Sequence, residues 1–252
     1  MPQLRPNVAK EKLRNNQVVT TIAGVQDAEV IDFLGPMGFD AAWIECEHGP
    51  VDWQGLGDMT RACDLWGMAS ITRVSANEPW LITRTLDRGA MGIVVPHINT
   101  REAAEQAMQS AKYAPVGYRG MFGGRQSFGV ADYPKIANDQ TMVIVLLEET
   151  EALKNLDEIL KVDNIDVFFV APTDLAQTMG HIGEAGHPEV QAAIDDALAR
   201  IVAAGRTAGT LVNDDNISSF IGKGARFLMT SWNGWVTRGA AQFLKKASEA
   251  KV

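Results

Sequence analysis

Cysteine is scarce: Cys46 and Cys63 are the only two among 252 residues. A disulfide framework or a thiolate metal site is not expected from so few. Cys46 lies on an apolar strand and Cys63 in an expected helix, and both are expected to be buried, chemically quiet thiols. Long apolar runs are absent too. Nothing approaches the roughly 18 residues that a membrane span needs, and the polar start MPQLRPNVAKEKLRNNQ has no signal-peptide core, so a cytoplasmic protein is expected. Basic charge is in deficit, with 23 Lys and Arg against 31 Asp and Glu and a net charge of −8. That balance argues against nucleic acid or an acidic membrane as partner and leaves a small solute. No Ser/Pro-rich linker or charge block divides the chain, so residues 1–252 are expected to form a single domain.

What the sequence does contain is alternation. Eight short apolar runs occur at 18–24, 40–46, 69–74, 92–98, 142–149, 167–172, 207–212 and 226–232. Between them lie segments of helical periodicity such as NTREAAEQAMQSAKY and HPEVQAAIDDALARIVAAG, the latter stopping at Gly205. Eight strands alternating with helices in about 250 residues predict an α/β chain folded as a (β/α)8 TIM barrel. One long irregular stretch, residues 114–135, carries five glycines; loops of that length are usually functional or disordered. The tail reads as a final helix with Trp232 and Trp235 near its start, aromatics expected in packing or subunit contacts rather than substrate stacking.

Barrel enzymes place their chemistry at the C-terminal ends of the strands. The stretch WIECEHGP puts Glu45, Glu47 and His48 at the end of the second run. The third run ends in Arg73, the fifth in Glu148 and Glu149, and the sixth leads into APTDL with Asp174. Charge is costly to bury unless paired or metal-bound, so this convergence is either a set of solvated loops or a working site. Glu148 and Asp174 suit a hard divalent cation, Mg²⁺ or Mn²⁺, or else are solvated acids and helix caps. His48 reads as a structural hydrogen-bonded residue or a general base. Arg73 reads as an ion-pair partner of Glu45 or Glu47, or as a clamp for a substrate carboxylate or enolate oxygen.

The segments GFDAAWIECEHGP, TRV, LDRGAMGIVVPHI, YAPVGYRG, LLEETEALKNLDEIL and VFFVAPTDLAQTMG, in that order, resemble the HpcH/HpaI aldolase family. Its members include metal-dependent (class II) pyruvate aldolases such as 4-hydroxy-2-oxoheptanedioate and 2-dehydro-3-deoxyglucarate aldolases. The resemblance implies a phosphoenolpyruvate/pyruvate-binding type barrel. The implied reaction is reversible cleavage of a 4-hydroxy-2-oxo acid to pyruvate, or a close 2-oxo acid such as hydroxypyruvate, and an aldehyde. By residue, it implies Glu148 and Asp174 as ligands of a divalent metal (Mg²⁺ or Mn²⁺, with Co²⁺ a further candidate) and no organic cofactor. It implies Arg73 at the pyruvate oxygen, His48 and Asp87 as a proton-moving dyad, and Thr173 and Asp174 holding the pyruvate carboxylate through backbone amides. It further implies a homohexamer, a trimer of dimers, with C-terminal helices exchanged between subunits.

Asp87 precedes the fourth run, so within one chain it is expected near the barrel's N-terminal face, away from His48; a neighbouring subunit would have to supply it. Two residues depart from the family pattern, Leu146 where glutamine is common and Glu45 where aspartate is. Either change could alter the acceptor aldehyde or slow the chemistry, or be compensated by the Gly-rich loop. Met121 to Phe128, Leu211 and Val212 are expected as pocket walls, with Leu211 a substrate contact. Arg119 and Arg125 would recognise a second carboxylate or brace the loop. Two alternatives stay open: a citrate-lyase-like acyl-CoA lyase, and a lapsed barrel that only binds a 2-oxo acid. A Schiff-base route is disfavoured because the lysines, Lys251 included, fall in helices or loops.

Overall fold

Strands covered on both faces read as unbroken apolar runs, and MVIVLL at 142–147 is the clearest here, with all six residues buried. The computed structural model describes residues 4–250. In chain order they form α1 (Val8–Arg14), β1 (Val19–Val25), α2 (Ala28–Leu34), β2 (Ala41–Glu45), α3 (Trp53–Leu65), β3 (Ala69–Arg73) and α4 (Pro79–Asp87). The middle third comprises β4 (Gly92–Val95), α5 (Arg101–Ala111), α6 (Tyr133–Gln140), β5 (Met142–Leu147), α7 (Thr150–Lys154), α8 (Leu156–Ile159) and β6 (Val167–Val170). The last comprises α9 (Pro172–Thr178), α10 (Pro188–Ala203), β7 (Ala208–Leu211), α11 (Ile217–Gly222), β8 (Phe227–Ser231) and α12 (Asn233–Glu249). Every strand is parallel to the next, and β8 pairs with β1 to close the barrel.

The period-two alternation of a strand separates two apolar layers. Ile144 and Leu146 of β5 point inward with Trp43, Ile71, Val94, Phe169 and Phe227. Val143, Val145 and Leu147 point outward to the helices, against residues such as Met108 and Ile194. α1 closes the N-terminal end: Val8, Ala9 and Leu13 pack on the inner layer. Its cap Asn7 accepts from the Lys10 amide and donates to the carbonyls of Met91 and Gln140. That plug is absent from the pattern of apolar runs, because only one face of a short polar helix is used.

The eight runs all become strands; β1 is displaced one residue later than the first run, and the other seven are shorter than read. β4 stops at Val95 because Pro96 has no N–H for the ladder and His97 turns to φ 55°. Residues 114–135 do not line the mouth. They follow α5 and so lie under the barrel, where Gln126 and Arg125 donate to the Gly89 carbonyl, just before β4. A short 3₁₀ turn (Arg125–Ser127) and the start of α6 order part of this stretch. Trp232 donates to the Gly24 carbonyl and Trp235 to Asp214, so both are packing residues within the chain. Cys63 is buried as expected, but Cys46 is only half-buried; burial still pushes its pKa up to about 12, so it stays a protonated thiol. Among the described residues, no helix is long and apolar enough to cross a membrane.

Under the barrel, two lysines share one acceptor. Lys112 donates to the carbonyls of Asn138 (2.9 Å) and Thr141 (2.6 Å), and Lys10 donates to the same Thr141 carbonyl (2.8 Å) while pairing with Asp166. Burial, with Lys10 adding to it against the pull of Asp166, lowers the Lys112 pKa from 10.5 to about 7. The folded chain therefore sheds this proton near pH 7, while the unfolded chain keeps it to about pH 10.4. Since the unfolded state binds more protons across that window, this group makes stability rise with pH there. Denaturant unfolding of the native protein and of Lys112→Met at several pH values should show the native protein gaining stability relative to the variant between pH 7 and 10. A constant difference across that range would show that Lys112 stays charged.

Candidate active site

Glu45, the last residue of β2, organises the turn that follows it. Its Oε1 accepts the backbone N–H of Glu47 (2.8 Å) and of His48 (3.2 Å), and its Oε2 accepts from the Trp43 indole (3.3 Å). Trp43 is itself fixed against Phe169 in the barrel interior, with ring centroids 5.3 Å apart. The longer side chain of Glu45 thus reaches both the backbone turn and an indole below it. Gly49 is required to close this turn, since a Cβ there would lie 2.5 Å from the Glu45 carbonyl oxygen. His48 is left exposed on the rim, and among the described residues its ring has no hydrogen-bond partner.

Arg73, at the end of β3, is the hub. Its guanidinium pairs closely with Glu47 and lies 3.6 Å from Glu45 and 3.7 Å from Glu148. Glu148, one residue past β5, is fully buried. Its Oε1 accepts the His97 backbone N–H at 2.7 Å, while its Oε2 has no hydrogen-bond partner. Burial raises the Glu148 pKa; the His97 N–H and the charges of Arg73 and His97 oppose this, and Asp174 adds to it. Asp174 sits half-buried in the first turn of α9 beside exposed Thr173, where helix N–H groups have no partner within the helix.

His97 was not singled out in the sequence, where PHI read as the end of a strand. The left-handed turn after Pro96 brings its ring to the mouth. Nδ1 lies 2.8 Å from Glu149 and 3.4 Å from Glu148, and Nε2 lies 3.4 Å from Glu47. Burial would depress its pKa, but the hydrogen bond to Glu149 and the charges of Glu148 and Glu47 outweigh it and leave the pKa raised. The available sequence signal was a histidine just past the fourth run, on the face where the other polar residues gather. Five carboxylates, Glu45, Glu47, Glu148, Glu149 and Asp174, thus meet one guanidinium and one imidazole. The excess of negative charge, all on oxygen donors, and the unpartnered Oε2 of Glu148 fit a hard divalent cation.

Other expected residues fall elsewhere. Leu146 is 1% exposed in the inner apolar layer, so it floors the site with hydrocarbon and offers no hydrogen bond. Leu211 and Val212 line a cavity of about 560 Å³ on the β6–β8 side of the mouth, with Pro172, Ser231 and Trp235. Asp87 ends α4 on the opposite face, paired to Arg119 at 2.8 Å. Arg125 pairs with Asp64 there. Within the chain both arginines brace the far face, and residues 121–128 form no wall of the mouth. That loop therefore cannot compensate for Leu146 or Glu45 in its own barrel. None of the described lysines stands at a strand's C-terminal end; Lys251 lies outside the described residues.

Comparisons with known proteins agree with this geometry. The profile of the HpcH/HpaI aldolase/citrate lyase family matches residues 23–239. A hydroxypyruvate/pyruvate aldolase of Roseobacter denitrificans is 36% identical over 209 residues, covering 81% of this chain and 82% of its own. A 5-keto-4-deoxy-D-glucarate aldolase of Shigella dysenteriae is 34% identical over 244 residues, covering 95% of both chains. The crystal structure of an HpcH/HpaI aldolase/citrate lyase family protein from Burkholderia cenocepacia superimposes with a TM-score of 0.90 at 30% identity, covering 96% of this chain and 100% of that one.

The His97 environment makes a direct prediction. In the metal-free protein the imidazole should titrate above its ordinary value of 6.5, and Glu149→Gln should lower the midpoint by removing its nearest carboxylate. Ring resonances of carbon-13-labelled histidine followed against pH measure this. A midpoint at or below 6.5 would show that burial dominates instead.

Proposed function

The chain belongs to the HpcH/HpaI aldolase/citrate lyase family, and from that premise we propose that it is a metal-dependent aldolase of 4-hydroxy-2-oxo acids. It releases pyruvate, or a close 2-oxo acid such as hydroxypyruvate, together with an aldehyde. The observation that carries this reading is Glu148: a fully buried carboxylate with one oxygen unpartnered, 3.7 Å from Arg73 and within electrostatic reach of Asp174. Glu148 and Asp174 would hold the divalent ion. When bound, that ion supplies a Lewis acid for the 2-oxo group and its carboxylate.

The chain's own residues account for the remaining steps. In cleavage the 4-hydroxyl loses its proton, the C3–C4 bond breaks, and its electron pair becomes the enolate of the 2-oxo acid, which is then protonated at C3. Arg73, held by Glu45 and Glu47, faces the enolate oxygen as charge develops there. The backbone N–H groups of Thr173 and Asp174, in the first turn of α9, take the carboxylate. His48, exposed at the rim, moves the proton between hydroxyl and C3. Leu211, on the cavity wall, contacts the acceptor. With Leu146 apolar beneath, grip on the 2-oxo acid rests on Arg73, the amides and the ion.

The site is completed by a second subunit. Asp87, expected to orient His48, sits on the far face of its own barrel beside Arg119, so it reaches the His48 of a neighbour in a homo-oligomer, a hexamer by family resemblance. α12 supports such an assembly. Beyond Trp235, which is half-buried on the core, it fully buries no residue in its own chain and leaves Phe243 71% and Leu244 64% exposed, as a helix that packs on a neighbour would.

Proton NMR of pyruvate in D₂O tests the enolising half without a choice of aldehyde. The methyl signal should be lost in the presence of Mg²⁺ or Mn²⁺ and preserved with a chelator, and Arg73→Ala should slow the exchange by about 10² or more. Exchange no faster than in the metal-only control would overturn the assignment. For the shared site, His48→Ala and Asp87→Ala chains, each inactive alone, should regain activity when co-assembled. At equal proportions about one quarter of the sites would be intact, since each needs one native residue from either side of a two-fold interface. No recovery at any ratio would place both residues in separate roles.

A further inference from the structure

The turn between α9 and α10, beside the cavity on the β6–β8 side of the mouth, gathers histidine and carboxylate outside the Arg73–Glu148 cluster, and we propose that His181, Glu184 and His187 form a second metal site, for a transition-metal ion such as Zn²⁺. The sequence HIGEAGHPE spaces these residues three apart, and the backbone makes that spacing count. The Glu184 N–H donates to the His181 carbonyl (3.0 Å) and the His187 N–H donates to the Glu184 carbonyl (2.8 Å). Two successive turns therefore stack the three residues on one side of the loop. Gly180 and Gly183 supply the left-handed conformations, φ 88° and 77°, that this folding needs. Donor atoms of all three side chains lie within 4.8 Å of one another.

An independent contact sets up the first ligand. Glu189, in the first turn of α10, has its Oε2 3.1 Å from Nε2 of His181. A carboxylate accepting from one imidazole nitrogen leaves the other nitrogen's lone pair for a metal and raises its basicity, the arrangement found behind metal-bound histidines. The rings of His181 and His187 are stacked, with centroids 3.6 Å apart and planes 17° from parallel. His187 now caps α10, its Nδ1 accepting the Glu189 N–H at 3.3 Å, so a metal would take over that lone pair; two neutral imidazoles and one carboxylate are then the ligand set of open zinc sites. With Zn–N distances near 2.05 Å, ligand atoms on a tetrahedral edge stand roughly 3.4 Å apart. The present spread, within 4.8 Å, therefore closes by rotation of the side chains.

This site differs from the mouth in chemistry. Glu148 and Asp174 offer only oxygen and suit a hard cation, whereas imidazole selects the softer transition metals. It is joined to the mouth mechanically: the His181 N–H donates to the Ala176 carbonyl of α9, and Ala185 and Gly186 line the cavity beside β7 and β8. A metal here would pin the connection that carries Asp174 at its other end.

Zinc titration followed by calorimetry tests the proposal in the full-length chain. A Glu148→Gln/Asp174→Asn protein, stripped of the mouth ligands, should still bind one Zn²⁺ per chain, and excess Mg²⁺ should not displace it. Adding His181→Ala and His187→Asn should weaken that binding at least 100-fold. Asparagine at 187 preserves a side-chain cap for α10, and circular dichroism checks that the variant is folded. Zinc bound equally with and without the two histidines would overturn the proposal, as would a dissociation constant above about 10⁻⁴ M with the histidines intact. Neither arm depends on turnover, so the outcome is separable from that of the aldolase assignment.

Discussion

Everything at the mouth answers to one constraint, a carboxylate with no exposed surface at the end of β5. An ionised side chain taken out of water costs several kcal/mol unless its neighbours restore what water supplied. For Glu148 the restoration is partial: a backbone N–H from His97 on one oxygen and Arg73 at 3.7 Å from the other. Arg73 cannot turn wholly to Glu148, because Glu47 and Glu45 also hold it. The incomplete compensation is what makes the place suited to a cation, and the negative excess around it sets the sign of what enters.

The two ends of the barrel divide the labour. At the C-terminal end, strand exits and short turns aim acids, Arg73 and His97 at one volume. At the N-terminal end, α1 plugs the interior and the Gly-rich stretch folds over the turn before β4, held by the Asp87–Arg119 and Asp64–Arg125 pairs. The second end also displays Asp87, the acid that the proposed dyad requires. In the proposed assembly the far face of one barrel would meet the mouth of another, and α12, none of whose residues is fully buried in its own chain, fits the same arrangement.

Most of the fold could be read from the chain. Short apolar runs such as MVIVLL and its seven counterparts, interrupted by helical segments, leave few architectures besides a parallel barrel, and each run became a strand. Glu148, Arg73 and the acids of ECEHGP were legible for the same reason, since barrel strand ends deliver their residues to one face. The helix of VAKEKLR was not, because its apolar face is three residues wide. Nor was His97, whose ring reaches Glu149 only because Pro96 ends the ladder and the next residue takes a positive φ.

Sequence by itself determined strand order, the identity of the acids and the arginine at the mouth, and the apolar nature of position 146, because these follow from local periodicity and from a rule tying strand ends to one surface. Tertiary structure alone decided which residues meet. It sent residues 114–135 beneath the barrel, turned Glu45 into a scaffold for its own turn through Trp43, and paired Asp87 with Arg119. It also stacked His181 on His187. Those outcomes depend on how distant turns pack and on single backbone angles, which the one-dimensional pattern of apolar and polar residues does not encode.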